Sequence, residues 1–202
     1  LGLFDDGECA GECMHAARPT CQRTGRGRRV GRQAHAVDEF AAELAESVRS
    51  VGRAVELGIN YLDTAPTYGN SEEVLGKALA ELQDQARPLV ISTKLGGRPQ
   101  LFLPQDVACL RASFDESLRL LGRDRVDLLM IHEPDRPGQY DWWGDLVRVE
   151  GPVLEFCHQL KAEGRIGHIG LGGTTTTVLA HLCRSGKFDV VLTAYNYSLL
   201  WR

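Results

Sequence analysis

Gly58-Ile59-Asn60-Tyr61-Leu62-Asp63-Thr64-Ala65-Pro66-Thr67-Tyr68-Gly69-Asn70-Ser71-Glu72 is the stretch whose reading decides the fold. Ile59 to Leu62 is short, β-prone and apolar apart from Asn60, which predicts a buried strand entered from a helix that stops at Gly58. Asp63 falls at the strand's exit. The chain then turns through Pro66 and Gly69, and Asn70, with Glu73 three residues on, is placed to cap a following helix. Tyr68 is thereby held in a tight strand-to-helix loop beyond an acid at a strand's end, which is where parallel α/β proteins keep their chemistry.

Outward from this stretch the pattern is regular. Upstream, Phe40, Leu44, Val48, Val51 and Val55 recur at helical spacing, with Asp38 as cap and Gly58 as stop. Downstream, Val74, Leu75, Ala78, Leu79 and Leu82 mark a second amphipathic helix, and Pro88 opens the strand Leu89–Lys94. A third helix carries Val107, Leu110, Phe114, Leu118 and Leu121 and is closed by Gly122. Val126 to Ile131 is a continuous apolar strand ending at His132, followed by a long loop from Glu133 to Gly151 with Tyr140, Trp142 and Trp143. Helix Pro152–Glu163, strand Ile166–Leu171, helix Thr175–Ser185 and strand Phe188–Tyr195 follow.

Near-continuous apolar strands alternating with amphipathic helices mean a parallel sheet covered by helices. Two architectures compete, the doubly wound open sheet and the (β/α)₈ barrel. No Gly-rich dinucleotide fingerprint follows the first clear strand, which weakens the doubly wound option. Polar residues at the exits of three consecutive strands, Asp63, Lys94 and His132, favour the barrel, because consecutive barrel strands are neighbours and these exits then line one arc of the same face.

Composition sets the frame for function. The 202 residues are 43% hydrophobic and 25% charged, enough for one sizeable core. A net charge of −4 and a pI near 5.9 argue against nucleic acid or an anionic membrane as the main partner. No apolar run is long enough to span a bilayer, and the N-terminus lacks a signal-peptide core, so a cytoplasmic location is expected. Of six cysteines, those at 109, 157 and 183 lie in apolar helical patterns and read as small core residues of a reduced protein. Residues 1–36 read differently from 37–202. Arg18 to Arg32 is rich in Arg and Gly without apolar periodicity, which predicts an irregular N-terminal segment ahead of the barrel domain. Leu1–Phe4 is the possible stub of a further strand. Cys9, Cys13, His15 and Cys21 do not follow a usual zinc spacing, and no metal is expected.

The strand-end residues form a chemical set. Lys is rarely buried unless paired, so Lys94 needs an acid, and Asp63 is one strand away. A cation beside a phenol favours the phenolate, so Tyr68 is placed to donate a proton to a carbonyl oxygen or to accept one from an alcohol. His132 is placed to donate a hydrogen bond to that oxygen. Each residue alone has a plainer reading: a turn cap for Asp63, a solvated strand end for Lys94, a satisfied loop histidine for His132, packing for Tyr68. The four together at one face are harder to dismiss. A lysine at a barrel strand end also suits a Schiff-base aldolase.

In order and spacing, Asp63-Thr64-Ala65-Pro66-Thr67-Tyr68-Gly69 with Ser71-Glu72, then Ser92-Thr93-Lys94, then Leu128-Leu129-Met130-Ile131-His132, resemble the aldo-keto reductase superfamily from about Asp38 to the C-terminus. The resemblance implies a (β/α)₈ barrel that moves a hydride between a nicotinamide cofactor, NADP or alternatively NAD, and a small-molecule carbonyl compound or sugar. It further implies Tyr68 as acid/base, tuned by Lys94 and Asp63, with His132 positioning the carbonyl. Where the family has Ser-Asn to hold the nicotinamide amide, this chain has Gly172-Gly173, which either let backbone approach the cofactor or simply make a tight connection, and the resemblance also implies that Asp63 contacts the cofactor. Leu192 or Thr193 stands where the sixth strand usually carries Gln. The segment around Val190–Thr193, with Tyr197 and Leu199-Leu200 beyond, looks more like the sugar dehydrogenase branch. Trp142 and Trp143 are placed to stack on a sugar or an apolar carbonyl compound, or to pack the long loop on the barrel rim. Only strands two to six are clear, so the barrel is expected to be incomplete, with strands seven and eight belonging beyond Arg202. The alternative function is that of a non-catalytic homologue that binds, senses redox state or is inert.

Overall fold

The structure, a computed structural model, describes residues 44–196. The N-terminal segment 1–36, its boundary with the barrel domain, the Leu1–Phe4 strand, the cluster of Cys9, Cys13, His15 and Cys21, and the residues beyond 196 lie outside the described residues.

The described elements alternate. Helical residues 44–56 form α1, followed by β1 (Tyr61–Asp63), α2 (Ser71–Leu82), a 3₁₀ turn (Gln83–Ala86), β2 (Val90–Leu95), α3 (Val107–Leu121), β3 (Val126–His132), α4 (Pro152–Ala162), β4 (Ile166–Gly173), α5 (Thr176–Arg184) and β5 (Val190–Thr193). The five strands make one parallel sheet in the order β1-β2-β3-β4-β5. A doubly wound sheet reverses its strand order at a switch point. This sheet never does, and it forms a half-barrel, part of a (β/α)₈ fold.

Register divides the sheet into two chemically distinct faces. Leu62, Ile91, Thr93, Leu95, Leu129, Ile131, Ile169 and Leu171 alternate onto one face, and all but Leu62 are buried there, beneath the helices. Leu110, Phe114, Leu118 and Leu121 of α3, at helical spacing, and Val153, Phe156, Cys157 and Leu160 of α4 complete the core. The ends of α3 are set by local chemistry: the Asp106 carboxylate accepts from the Ala108 N–H at 2.8 Å, and Gly122 takes the left-handed conformation at φ 62°. The opposite face carries Tyr61, Asp63, Val90, Lys94, Met130, His132, Gly172 and Val190. Five strands do not enclose it.

Several expectations need correction on these grounds. The strand at Ile59–Asp63 is shorter and less buried than its composition predicts: Ile59 is 50% exposed and outside the strand, and Tyr61 is 40% exposed. β1 is the edge of the described sheet, and Tyr61 lies on the face without helices. Asn70 holds the cap position of α2 but makes no side-chain cap bond. Instead Ser71 Oγ bonds Thr64 Oγ1 at 2.6 Å, and Asn70 contributes only its carbonyl, to Val74. Cys157 is a core residue as expected, whereas Cys109 is half-buried and Cys183 exposed, because both sit on the outer flank of their helices.

Helices α2 and α3 pack closely only because position 76 has no side chain. A Cβ there would lie 2.0 Å from the Leu120 carbonyl oxygen, a backbone atom that cannot swing aside. Gly76→Ala is expected to destabilise the fold by about 1–3 kcal/mol, the usual range for overpacking. Gly52, in α1 with open space around it, serves as the control. Its replacement by Ala is expected to be neutral or to stabilise by up to about 1 kcal/mol. Urea unfolding of both variants checks the pair.

Candidate active site

Four strand exits and one loop converge on a cleft of about 350 Å³. It is lined by Thr67 and Tyr68 from the β1–α2 loop, Lys94 from β2, His132 from β3, Glu133, Arg136 and Gln139 beyond it, Gly172, Gly173 and Thr174 at the exit of β4, and Leu192, Ala194 and Tyr195 at the exit of β5.

Lys94 is its fixed point. The side chain is 2% exposed and its ammonium donates to Asp63 Oδ2 at 2.6 Å and to the Thr64 carbonyl at 2.7 Å. The other Asp63 oxygen accepts from Ser92 Oγ at 2.8 Å. Burying a charge is tolerated when it is paired and its donors are satisfied. The carboxylate from β1 and the carbonyl of the next residue do this together. The Lys94 Nζ also lies 4.8 Å from the centre of the Tyr68 ring.

Tyr68 is held in a turn closed at both ends, its N–H on the Ala65 carbonyl at 3.0 Å and its own carbonyl accepting from Ser71 at 3.1 Å. Its side chain is 50% exposed, and its ring meets His132 edge-on at 5.7 Å. The loop is anchored through Glu72, which is buried, accepts from Thr93 Oγ1 at 2.5 Å and pairs with Arg98. The residue flanking Lys94 on β2 is thus tied to the loop that carries Tyr68.

His132 is 8% exposed, and its pKa is pushed down to about 4 by burial, with the Lys94 ammonium adding to the effect. It is neutral at ordinary pH. Thr67 Oγ1 lies 3.4 Å from its Nδ1, and Trp142 Nε1 donates to its carbonyl at 2.9 Å. Glu133, the next residue, adopts a left-handed backbone at φ 49°, its N–H on the Gly172 carbonyl at 2.7 Å. Its carboxylate pairs with Arg136 at 2.9 Å, and Arg136 also donates to Thr174 Oγ1 at 3.2 Å.

Behind Gly173 the Asp135 carboxylate is buried. One oxygen accepts from the N–H groups of Thr174 and Thr175, where α5 begins. Burial would raise the pKa of this carboxyl, but the hydrogen bonds from Thr175 and Thr174 outweigh it and hold it below the usual range. The other oxygen sits 2.3 Å from where a Cβ on Gly173 would be. At Gly172 a Cβ would meet only ordinary contacts, the nearest being Met130 Sδ at 3.5 Å. The two glycines therefore differ: Gly173 is required by the carboxylate behind it, and Gly172 leaves bare backbone at the cleft.

The structure thus brings together Asp63, Tyr68, Lys94 and His132, with Gly172 and Gly173 across the cleft. It places Trp142 and Trp143 elsewhere. Both are buried, donate to the carbonyls of His132 and Pro134 at 2.9 and 3.0 Å, and line no part of the cleft, so their expected substrate-stacking role is corrected to packing of the long loop. The sequence reading gave no role to Thr67, Glu133, Arg136, Gln139 or Thr174. A signal existed: all five lie in loops leaving the same strand ends, and Glu133 and Arg136 stand three apart with opposite charge. Among the described residues no group of acidic, His or Cys side chains could hold a metal, and no helix is long and apolar enough to cross a membrane.

This architecture and site define a family. Residues 31–202 match the aldo/keto reductase family, and the chain belongs to it. It is 31% identical over 159 residues to L-galactose dehydrogenase of Arabidopsis thaliana, covering 76% of this chain and 47% of that protein. To D-threo-aldose 1-dehydrogenase of a Pseudomonas species it is 35% identical over 173 residues, covering 73% of this chain and 50% of the relative. The chain therefore spans about half the length of these curated relatives. Among solved structures, an aldo/keto reductase from Brucella melitensis superposes with a TM-score of 0.55 at 30% identity, covering 73% of this chain and 52% of that one. An aldo-keto reductase from Klebsiella pneumoniae in complex with NADPH superposes with a TM-score of 0.56 at 26% identity, covering 75% and 48%.

The depressed pKa of His132 links the site to stability. Between about pH 6.5 and about 4 the unfolded chain binds a proton at this residue and the folded chain does not. Stability at this residue is therefore complete above the unfolded value and lost as pH falls through that window. The loss is on the order of 3 kcal/mol for the full shift. Urea unfolding from pH 7 to pH 4 is expected to show a steeper decline for the wild type than for His132→Gln, and parallel curves would refute this environment for His132.

Proposed function

We propose that this protein is a nicotinamide-dependent oxidoreductase that interconverts a carbonyl and an alcohol, with Tyr68 as the acid/base. The observation that carries the reading is the Lys94 ammonium, buried on Asp63 and held 4.8 Å from the Tyr68 ring at the mouth of a cleft. In the reducing direction the Tyr68 hydroxyl gives its proton to the carbonyl oxygen, and the nearby ammonium favours the negative charge left on the ring. In the oxidising direction the proton moves the other way. His132, neutral, donates a hydrogen bond to the same oxygen and orients the substrate. A Schiff base on Lys94 is disfavoured, because the 2.6 Å ion pair occupies the nitrogen that such chemistry requires free.

The residues at the far side of the cleft fit a nicotinamide ring. Gly172 and Gly173 offer backbone without side chains, Leu192 and Ala194 add apolar surface, and Asp63 holds Lys94, which lines the same cleft. NADP is the favoured cofactor, supported by the NADPH complex of the Klebsiella relative, with NAD the alternative. The nicotinamide, when bound, supplies or accepts the hydride.

For the substrate, the rim speaks for a polyhydroxylated carbonyl compound of the aldose type. Arg136 and Gln139 offer donors, Glu133 and the Gln139 carbonyl offer acceptors, and Thr67 and Thr174 offer hydroxyls within one cleft. Sugar hydroxyls need both kinds of partner, and the names of the two curated relatives are those of sugar dehydrogenases.

Tyr68→Phe keeps the ring and deletes the proton donor. It is expected to lower carbonyl reduction by at least about 10² while leaving cofactor affinity unchanged. Steady-state reduction of a reactive aldehyde and a fluorescence titration of cofactor check the two halves, and unchanged turnover would sink the role of Tyr68. Arg136→Ala is expected to raise KM for an aldose by about tenfold, the scale of one lost charged hydrogen bond, with little change for a small aldehyde bearing no hydroxyls. Equal effects on both substrates would remove the rim from substrate recognition.

A further inference from the structure

The Thr67 hydroxyl lies on Nδ1 of His132, and no described group bonds the ring's other nitrogen. Thr67 itself is clamped. Its Cγ2 methyl occupies the space beside Gly97, where a Cβ would fall 2.5 Å away, and Gly97 takes a left-handed backbone at φ 74° that tolerates this approach. With the methyl seated against Gly97, the hydroxyl of this β-branched side chain has little rotational choice. It faces His132.

A neutral imidazole carries one N–H, and which nitrogen holds it is set by the bond the other makes. If Nδ1 held the hydrogen and donated to Thr67, Nε2 would carry a bare lone pair and could give nothing to a carbonyl oxygen. If Thr67 donates to Nδ1, the hydrogen sits on Nε2, the nitrogen of this cleft-lining residue that no described group bonds. We propose that Thr67 is a positioning residue that donates to Nδ1 of His132 and so holds the ring with its Nε2–H turned to the substrate oxygen. The proposal rests on the catalytic reading above for the choice of donor direction. The electrostatic setting suits it: the charged groups facing His132 are Lys94, Asp63 and Arg136, and burial with the Lys94 ammonium keeps the ring neutral, so that a single N–H has to be placed correctly. The contact is 3.4 Å, at the long end for a hydrogen bond.

The test is a long-range proton–nitrogen correlation spectrum of protein labelled with ¹⁵N-histidine, with His132 assigned by its loss in His132→Gln. The wild type is expected to carry its proton on Nε2, with an Nδ1 resonance displaced by hydrogen bonding. Thr67→Val keeps the methyl against Gly97 and removes the hydroxyl. It is expected to return Nδ1 to its unbonded position and to lower kcat/KM for carbonyl reduction by up to about tenfold, with cofactor affinity unchanged. Thr67→Ser, which restores the hydroxyl, is expected to recover the Nδ1 displacement. A wild-type proton on Nδ1 overturns the proposal, as does an Nδ1 resonance indifferent to Thr67→Val. An Nδ1 that responds without any change in an existing kcat/KM overturns the positioning role. The spectrum does not depend on turnover. An inactive protein with Nε2 protonated and Nδ1 responsive would therefore refute the catalytic reading and keep this bond.

Discussion

An ammonium ion that is almost wholly withdrawn from water is the constraint around which the rest of the site is built. Lys94 can exist in its position only if something replaces its hydration, and the replacement comes from one short piece of chain: the Asp63 carboxylate and the Thr64 carbonyl, both within 2.7 Å. That requirement pins β1 to β2 in the register that sets Asp63 against Ser92, although β1 has only three residues and half-exposed side chains. It also fixes where the next loop starts. Tyr68 follows five residues later in a turn closed at both ends, so the position of the phenol is inherited from the ion pair. Glu72 ties the end of that loop back to Thr93, and strand, loop and helix cannot shift separately.

The two faces of the sheet divide the labour. One is a conventional apolar interior under α3 and α4. The other bears the ion pair, the neutral histidine and the bare backbone of Gly172, where charged and polar groups would be costly in an apolar core unless each were satisfied. Strand periodicity alone puts them there: Lys94 and His132 alternate with Leu95 and Ile131, so the same strands that build the core present the chemistry at their exits. This arrangement belongs to a barrel wall, and the uninterrupted strand order agrees with it.

Much of this was legible in the sequence because it depends on local patterns. The period of Leu110, Phe114, Leu118 and Leu121, the Gly122 stop and the strand-ending polar residues all survive in the structure. The pairing of Lys94 with Asp63 followed from the cost of an unpaired buried cation. What was not legible depends on packing between segments distant in sequence. Trp142 and Trp143, in a long loop at the active face, suit either a pocket or packing on the rim, and the choice rests on their indole N–H groups being used on the carbonyls of His132 and Pro134, which no periodicity foretells. Thr67 sat within the most telling stretch of the chain and still went unnoticed, because its partner is 65 residues away. The over-reading of Ile59–Leu62 as a buried strand has a similar origin: composition signals a strand, but whether a sheet flank is covered is decided elsewhere.

The carboxylate of Asp135 has an evolutionary corollary. It fills the space that any side chain on residue 173 would need, and its other oxygen organises the first turn of α5. Neither position is free to change by itself. A lineage that acquires a side chain at 173 must first shrink or redirect residue 135, and one that loses the acid opens a hole beside the glycine and leaves two amide groups seeking an acceptor. The two positions should therefore drift as a linked pair, with glycine and aspartate exchanged together for a larger residue and a smaller one. Such joint replacement would record, across otherwise divergent sequences, how this wall of the cleft was assembled.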